Sequence, residues 1–400
     1  MSALGCGKAV TLEALRAGRP GLGPVRYLET SQKDFPVGEV PLSNQELAAL
    51  CGVPDTWPRT SLLSVVALQE ALQEAALCSC DVPFSSASLR DPVRANAPEK
   101  GTSPDKVPLL GGIPLISGTT VGCMDLTEKV FPTYPSWHSC GVSTDLAARL
   151  LGFEWATTLS TACSSALNAI IYGANLIRAG RYHCVVAGGS ESLSNYHLNG
   201  FNSLMILDRQ PCRPFDATRA GLNLGEGAAY LVLETAASAK ARGANVLARL
   251  SGFGNACDAF HQTASSENGE GAYLAMKQAL ERAGLQPSQI DYVNAHGTGT
   301  PNNDASETTA LRRIFGGQLP PVSSTKPFTG HTTSASGSIE AVFCLLALQH
   351  GFIPPQLNWN TPDPACVTPY TEQRKEFLSH IICNAFGFGG NDSSMIISKP

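Results

Sequence analysis

Charge is scarce in this 400-residue chain: Asp, Glu, Lys and Arg make up only 15% of it, and aromatic residues 7%. Set against 43% hydrophobic residues, so little charge excludes a disordered protein and implies a large buried interior. A net charge of −5 gives no reason to expect nucleic acid as a partner. No apolar run reaches the roughly 18 residues that a membrane-spanning helix needs, so no membrane span is expected. Met1 to Thr11 lacks the charged start and long apolar stretch of a secretory signal. Cysteine is not scarce, but the thirteen are scattered and odd in number, which argues against a disulfide framework. Reduced thiols and a cytoplasmic location are expected. Cys78-Ser79-Cys80 has no second Cys or His pair near it at ligand spacing, so no metal is expected.

What the chain does have is an alternation of apolar strands and amphipathic helices. The spacing predicts helices over 62–77, 142–151, 163–179, 271–283 and 334–350. It predicts strands over 113–120, 156–160, 183–187, 228–234, 248–255, 290–294, 321–324, 381–385 and 394–398. This is α/β patterning, and it points to parallel strands buried on both faces. The order strand, Ser160-Thr161-Ala162-Cys163, helix echoes the later order strand, Ser324-Thr325-Lys326 through His331, helix. Two similar halves, 1–240 and 241–400, are expected, divided near Thr235 to Asn245. Asp91 to Asp105 reads as an exposed loop.

Three distant segments carry chemistry. Cys163 lies where a short strand turns into a helix that is apolar nearly all round. A helix N-terminus favours a thiolate and offers free N–H groups to an oxyanion, so the thiol pKa is expected to fall. His296, in Asn294-Ala295-His296-Gly297-Thr298-Gly299-Thr300, and His331, in Lys326-Pro327-Phe328-Thr329-Gly330-His331, each follow a predicted buried strand. That end of an α/β sheet is where ligands generally bind. Two neutral imidazoles can each donate one N–H to a thioester oxygen and so stabilise an enolate. Lys326, five residues before His331, is expected to hold that ring in one tautomer and keep it uncharged. Glu340 would in turn hold Lys326. Asp304 and Glu307 read either as further support behind the His296 loop or as ordinary acids near a helix start.

At these residues the chain resembles the β-ketoacyl-acyl carrier protein synthases, the condensing enzymes of fatty acid and polyketide synthesis. The matching segments are Thr161-Ala162-Cys163-Ser164-Ser165, Val186-Ala187-Gly188-Gly189 with Glu191, and Arg213-Pro214-Phe215-Asp216. They continue with Gly225-Glu226-Gly227-Ala228, Tyr292 through Thr298, Ser323-Ser324-Thr325-Lys326 through His331, and Asn384-Ala385-Phe386-Gly387-Phe388-Gly389-Gly390. The resemblance implies the thiolase fold, a five-layer α-β-α-β-α stack of two similar halves. It implies that Cys163 is acylated, that His296 and His331 assist decarboxylation of a malonyl-carrier protein, and that Lys326 and Glu340 support His331. It implies that Phe388 is a gate to the acyl pocket and that the amides of Cys163 and Phe388 form an oxyanion hole. Thr298 and Thr300 would touch the phosphopantetheine arm, with Phe386, Gly387 and Gly389 also at the substrate. That arm arrives on the acyl carrier protein, so no resident cofactor is expected. The resemblance also implies a dimer, either of two copies or with a related ketosynthase-like subunit. Arg209, Arg213 and Arg219 are the candidates for carrier docking.

The chain departs from the family in places. The opening strand is short or missing before Gly5, and the Ser117 to Gly122 loop carries Thr and Val where more glycine is common. Asn391-Asp392 stands where Thr-Asn is usual, and Trp137 to Cys140 is unusual. These departures bear on the acyl substrate and imply a specialised synthase, of polyenes or another secondary product. Two other readings are a non-catalytic partner subunit that sets chain length, which the retained Cys163 opposes, and a thiolase or acyltransferase acting on coenzyme A thioesters.

Overall fold

The computed structural model describes residues 1–77, 110–130 and 139–400. The Cys78-Ser79-Cys80 cluster, the loop Asp91 to Asp105 and Trp137 lie outside them. Among the described residues the helices are α1 (Lys8–Ala17), α2 (Asn44–Cys51), α3 (Arg59–Glu74), α4 (Met124–Val130), α5 (Val142–Leu151), α6 (Ser165–Arg178) and α7 (Asn195–Ser203). They continue with α8 (Ala236–Ala241), α9 (Glu270–Ala283), α10 (Pro301–Phe315), α11 (Lys326–Thr329) and α12 (Ser336–His350). The strands are β1 (Leu115–Gly118), β2 (Ala156–Leu159), β3 (Cys184–Glu191), β4 (Gly227–Glu234), β5 (Arg249–Cys257), β6 (Tyr292–Asn294), β7 (Val322–Ser323), β8 (His380–Gly387) and β9 (Asn391–Ser398).

They form two sheets, ordered β2-β1-β3-β4 and β5-β9-β8-β6-β7. The expectation of parallel strands holds only for part of each sheet. β1 runs parallel to β2 and β3, and β6 runs parallel to β7 and β8, but β4, β5 and β9 pair antiparallel. For β8 and β9 the reason is connection length. β8 reaches β9 through a turn of only three residues, Phe388–Gly390, which no parallel crossover can use.

α6 and α12 lie between the sheets and pack on both, while α3 and α5 cover the outer face of the first sheet and α9 that of the second. The result is the five-layer thiolase stack. α12 is apolar on all sides, with Ile339, Phe343, Leu346 and Leu348 buried, as a helix enclosed by two sheets must be. Each such side chain stabilises the fold by about 1.5–3 kcal/mol. The two central helices approach closely at Gly337, where a Cβ would come within 2.7 Å of Leu167. α5 has the predicted bounds. α3 starts and ends three residues early, and Pro58, which cannot donate to a helical bond, stands just before its start. No strand precedes α1 among the described residues; instead Met1 exchanges backbone bonds of 2.8 and 3.1 Å with Ala228 on β4. No described helix is long and apolar enough to cross a membrane, and the eleven cysteines among the described residues are free.

Candidate active site

The three segments picked out in the sequence meet between the sheets. Cys163 does not begin α6 but sits in the tight turn ahead of it. Ala162 takes φ 51°, a left-handed value for a residue with a Cβ, and Thr161 bridges to Cys163. That strained turn holds the sulfur beside His331.

His331 arrives from the opposite side. α11 is one turn long and ends at Gly330, whose φ of 72° reverses the chain. The His331 backbone then donates to Asn223 O at 2.7 Å and accepts from Gly225 at 2.9 Å, so the segment leading into β4 clamps it. Its Nε2 lies 3.0 Å from Cys163 Sγ, and its Nδ1 lies 2.9 Å from Ser336 Oγ at the start of α12. His296 follows β6, and its ring stands edge-on to His331 with centroids 5.3 Å apart. Phe386 packs tilted against the His296 ring, at 5.7 Å.

Lys326 corrects one expectation. Its ammonium contacts His296, not His331: Nζ lies 3.3 Å from His296 Nδ1 and 2.8 Å from Glu340 Oε1. An ammonium has only protons to give, so Nδ1 must accept and the His296 proton sits on Nε2. Ser336 takes the place expected for Lys326 beside His331, and Lys326 reaches that ring only through its field. Both imidazoles are held well below their ordinary pKa, first by burial and next by the Lys326 charge. They are therefore neutral, as expected. Glu340 holds Lys326, as expected, and burial pushes its carboxyl up while Lys326 pulls it back.

The thiol corrects a second expectation. Burial pushes Cys163 up to about 11, against the lowering effect of Lys326 and of the Phe388 and Cys163 backbone N–H groups. Desolvation of a nearly enclosed sulfur outweighs a helix start it only adjoins. At neutral pH the resting group is the thiol, with a base 3.0 Å away.

Glu307 and Asp304 both support the His296 loop. Glu307 accepts from the His296 and Gly297 N–H groups at 2.9 and 2.8 Å, and burial pushes it up to about 7. Asp304 accepts from Phe215 at 2.9 Å and Gly299 at 3.2 Å. Thr298 and Thr300 lie on the same loop with their hydroxyls 2.9 Å apart. Phe388 is half-buried and stacks on Phe201 at 5.7 Å. Gly387 sits where a Cβ would come 2.8 Å from Thr161 O, and Gly389 takes φ 81°.

The docking candidates fare unevenly. Arg219 is buried against Asp304 and Asp363, and Arg213 pairs with Asp208, so both are internal braces; Arg209 is exposed over Phe35. Sequence reasoning missed Ser336 and the role of Glu191. Glu191 accepts from Thr119, Thr120 and Ser334 and so ties β3 to the segment between His331 and α12. Its place in a matching segment was the one available signal.

Comparison with known proteins agrees with this architecture. Residues 124–239 match the family model "Beta-ketoacyl synthase, N-terminal domain" and residues 247–360 match "Beta-ketoacyl synthase, C-terminal domain". "Nodulation protein E" of Rhizobium meliloti (strain 1021) is 34% identical over 96% of this chain and 93% of its own length. "3-oxoacyl-[acyl-carrier-protein] synthase 2" of Vibrio cholerae serotype O1 is 39% identical over 60% of this chain and 61% of its own. A solved structure described as "The ishigamide ketosynthase/chain length factor" superposes with a TM-score of 0.85 at 29% identity, over 100% of this chain and 96% of that one. The chain belongs to the β-ketoacyl synthase family and is an acyl-transferring synthase.

Proposed function

We propose that this synthase carries an acyl group on Cys163 and condenses it with a malonyl group delivered on an acyl carrier protein, with loss of CO2. The observation that carries the reading is one sulfur 3.0 Å from His331 Nε2, with a second neutral imidazole edge-on at 5.3 Å.

In loading, Cys163 Sγ attacks the acyl thioester carbonyl and its proton passes to His331 Nε2. The oxyanion lies against the N–H groups of Cys163 and Phe388, which already act on the sulfur. Collapse expels the carrier thiolate, which takes the proton from His331. In condensation, the malonyl carboxylate leaves as CO2 and its bonding electrons form an enolate. His296 Nε2–H and His331 Nε2–H donate to the enolate oxygen. The enolate carbon attacks the Cys163 thioester, and Cys163 leaves as the thiolate. The product is a 3-oxoacyl chain two carbons longer. The Ser336 hydroxyl either accepts from or donates to His331 Nδ1, so this ring can present a lone pair in loading and an N–H in condensation. Lys326 permits His296 only the donor form.

The name of the Vibrio relative supports a carrier-protein substrate. On this reading the pantetheine arm passes Thr298 and Thr300, and Phe386, Gly387, Phe388 and Gly389 border the acyl chain. The protein works without a resident cofactor, in the cytoplasm, as two halves, 1–240 and 241–400, and as a dimer. The ishigamide assembly favours a partner of the chain-length-factor kind as one form of that dimer. A second reading, that this chain is itself such a partner, is opposed by the intact Cys163, His296 and His331 set.

Intact mass after incubation with acyl-carrier protein tests the proposal. The expected result is one acyl adduct on the wild-type chain and none on Cys163→Ala. A normal adduct on Cys163→Ala refutes it, as does acetyl-coenzyme A exchange without CO2 release from malonyl-carrier protein.

A further inference from the structure

One side-chain oxygen beside the turn that carries Phe388 gathers bonds from the nucleophile's surroundings. Asn391, the first residue of β9, points its Oδ1 at three donors. Asn168 Nδ2 on α6 lies at 2.7 Å, Ser164 Oγ at 2.9 Å and Asn255 Nδ2 on β5 at 3.0 Å. The amide has only one orientation here, because its NH2 end would face two other NH2 groups. Ser164 shares its one proton between Asn391 and the Thr161 carbonyl at 2.7 Å, and Asn255 shares its two among four acceptors, so the shortest bond, from Asn168, is the firm one.

The surrounding bonds make this oxygen a joint. Asn168 also donates to Thr161 Oγ1 at 2.9 Å, two residues before the sulfur. Asn255 donates to Asn168 Oδ1 at 3.1 Å and to Ser393 Oγ at 2.9 Å. Ser393 Oγ donates to Asn168 Oδ1 at 2.7 Å. On the other side, Gly387 faces Asn391 across the β8–β9 turn. Only Phe388, Gly389 and Gly390 lie between them, and two of these are glycines with φ of 81° and 76°. Such a turn has little stiffness of its own. Its attachment elsewhere is to the chain after β5: Gly389 donates to Gln262 O at 2.7 Å, and Asp258 donates to Gly390 O at 2.7 Å. Asn391, Ser393 and Asn255 all reach Asn168 on the helix that follows Cys163, and Asn391 is the one directly joined to the Phe388 turn.

We infer that Asn391 is a positioning residue for acyl transfer: its side-chain oxygen locks the Phe388 turn to α6 and so aligns the Phe388 N–H with the Cys163 N–H. This rests on the proposed oxyanion role of those two groups. The family pattern noted above has Thr at this position, whose shorter side chain holds its oxygen closer to the backbone.

The test is a cycle of Asn391→Ala, Asn168→Ala and the double variant, read by the rate of acyl transfer from acyl-carrier protein to Cys163. The wild type must load first; failure there sinks the functional proposal rather than the joint. Displacing one oxyanion donor should lower the maximal loading rate about 10- to 100-fold. The KM for acyl-carrier protein should stay within about threefold, because the joint contacts no substrate. Alkylation of Cys163 by iodoacetamide, which needs no oxyanion hole, should also stay within about threefold. The double variant should be no slower than the slower single variant, since both cut one connection. Should Asn391→Ala fail to fold, Asn168→Ala alone carries the rate comparison. Loading at the wild-type rate, multiplicative losses in the double variant, or an equal fall in alkylation would each overturn the inference.

Discussion

Lys326→Met is the sharpest probe of this site, because one ammonium serves two distinct purposes. Lys326 and Glu340 form a buried ion pair at 2.8 Å, each side chain nearly sealed from solvent. Glu340 Oε2 has no hydrogen-bond partner among the described residues. Removing the lysine leaves a buried carboxyl without its counter-charge, which costs about 3–5 kcal/mol. Part of this is relieved when the carboxyl takes up a proton, so denaturant unfolding should show a loss of about 3 kcal/mol. Catalysis fails for a separate reason. Without the ammonium at 3.3 Å, the His296 proton can move to Nδ1, and Nε2 then has no hydrogen to give the enolate. Loss of one such donor lowers turnover about 10²- to 10³-fold. The variant Lys326→Met/Glu340→Gln separates the two effects. It removes both charges, so stability should return to within about 1 kcal/mol of wild type, while CO2 release from malonyl-carrier protein stays low. Recovery of both stability and turnover in the double variant would refute the tautomer argument. A single variant as stable as wild type would refute the ion-pair argument.

Other outcomes follow from the same geometry. His296→Ala should leave loading of Cys163 within about threefold, while CO2 release falls about 100-fold or more, since the proposed reaction has the ring donating to the enolate. His331→Ala should reduce CO2 release more than loading, and its loading rate should climb as pH rises toward the Cys163 value of about 11, where thiolate forms without a base; a flat pH profile would argue against base catalysis by His331. Asp392 is buried beside Asp258 and Glu307, and burial first, then those two charges, pushes it up to about 8. A raised folded-state carboxyl costs nothing below its ordinary pKa of about 4 and costs progressively more as pH rises toward 8. Asp392→Asn should therefore melt higher than wild type at pH 8 and equally at about pH 3, and a constant difference across that range would count against the assignment.

Much of the site was legible in the chain. Small residues around a Cys, two His-bearing Gly/Thr loops and a Lys at fixed spacing are local facts, and buried strands lead into each loop because apolar runs must pack. The pairing of Lys326 with Glu340 could also be read, since a buried ammonium needs an acid. Other features are set by the packing between the two sheets. Which imidazole Lys326 touches depends on how α11 turns at Gly330, and the five-residue gap to His331 carries no such information. Whether Cys163 is thiol or thiolate is a contest between desolvation and nearby positive charge, and burial emerges only when two sheets close over α6. Asn391, Asn168 and Asn255 are polar residues far apart in sequence, with no periodic signal to join them. Short-range pattern determines elements and chemistry, because backbone hydrogen bonding and side-chain type act within a few residues. Tertiary structure alone decides tautomers, pKa values and the bracing of the turn, because those depend on atoms that meet only after long-range closure.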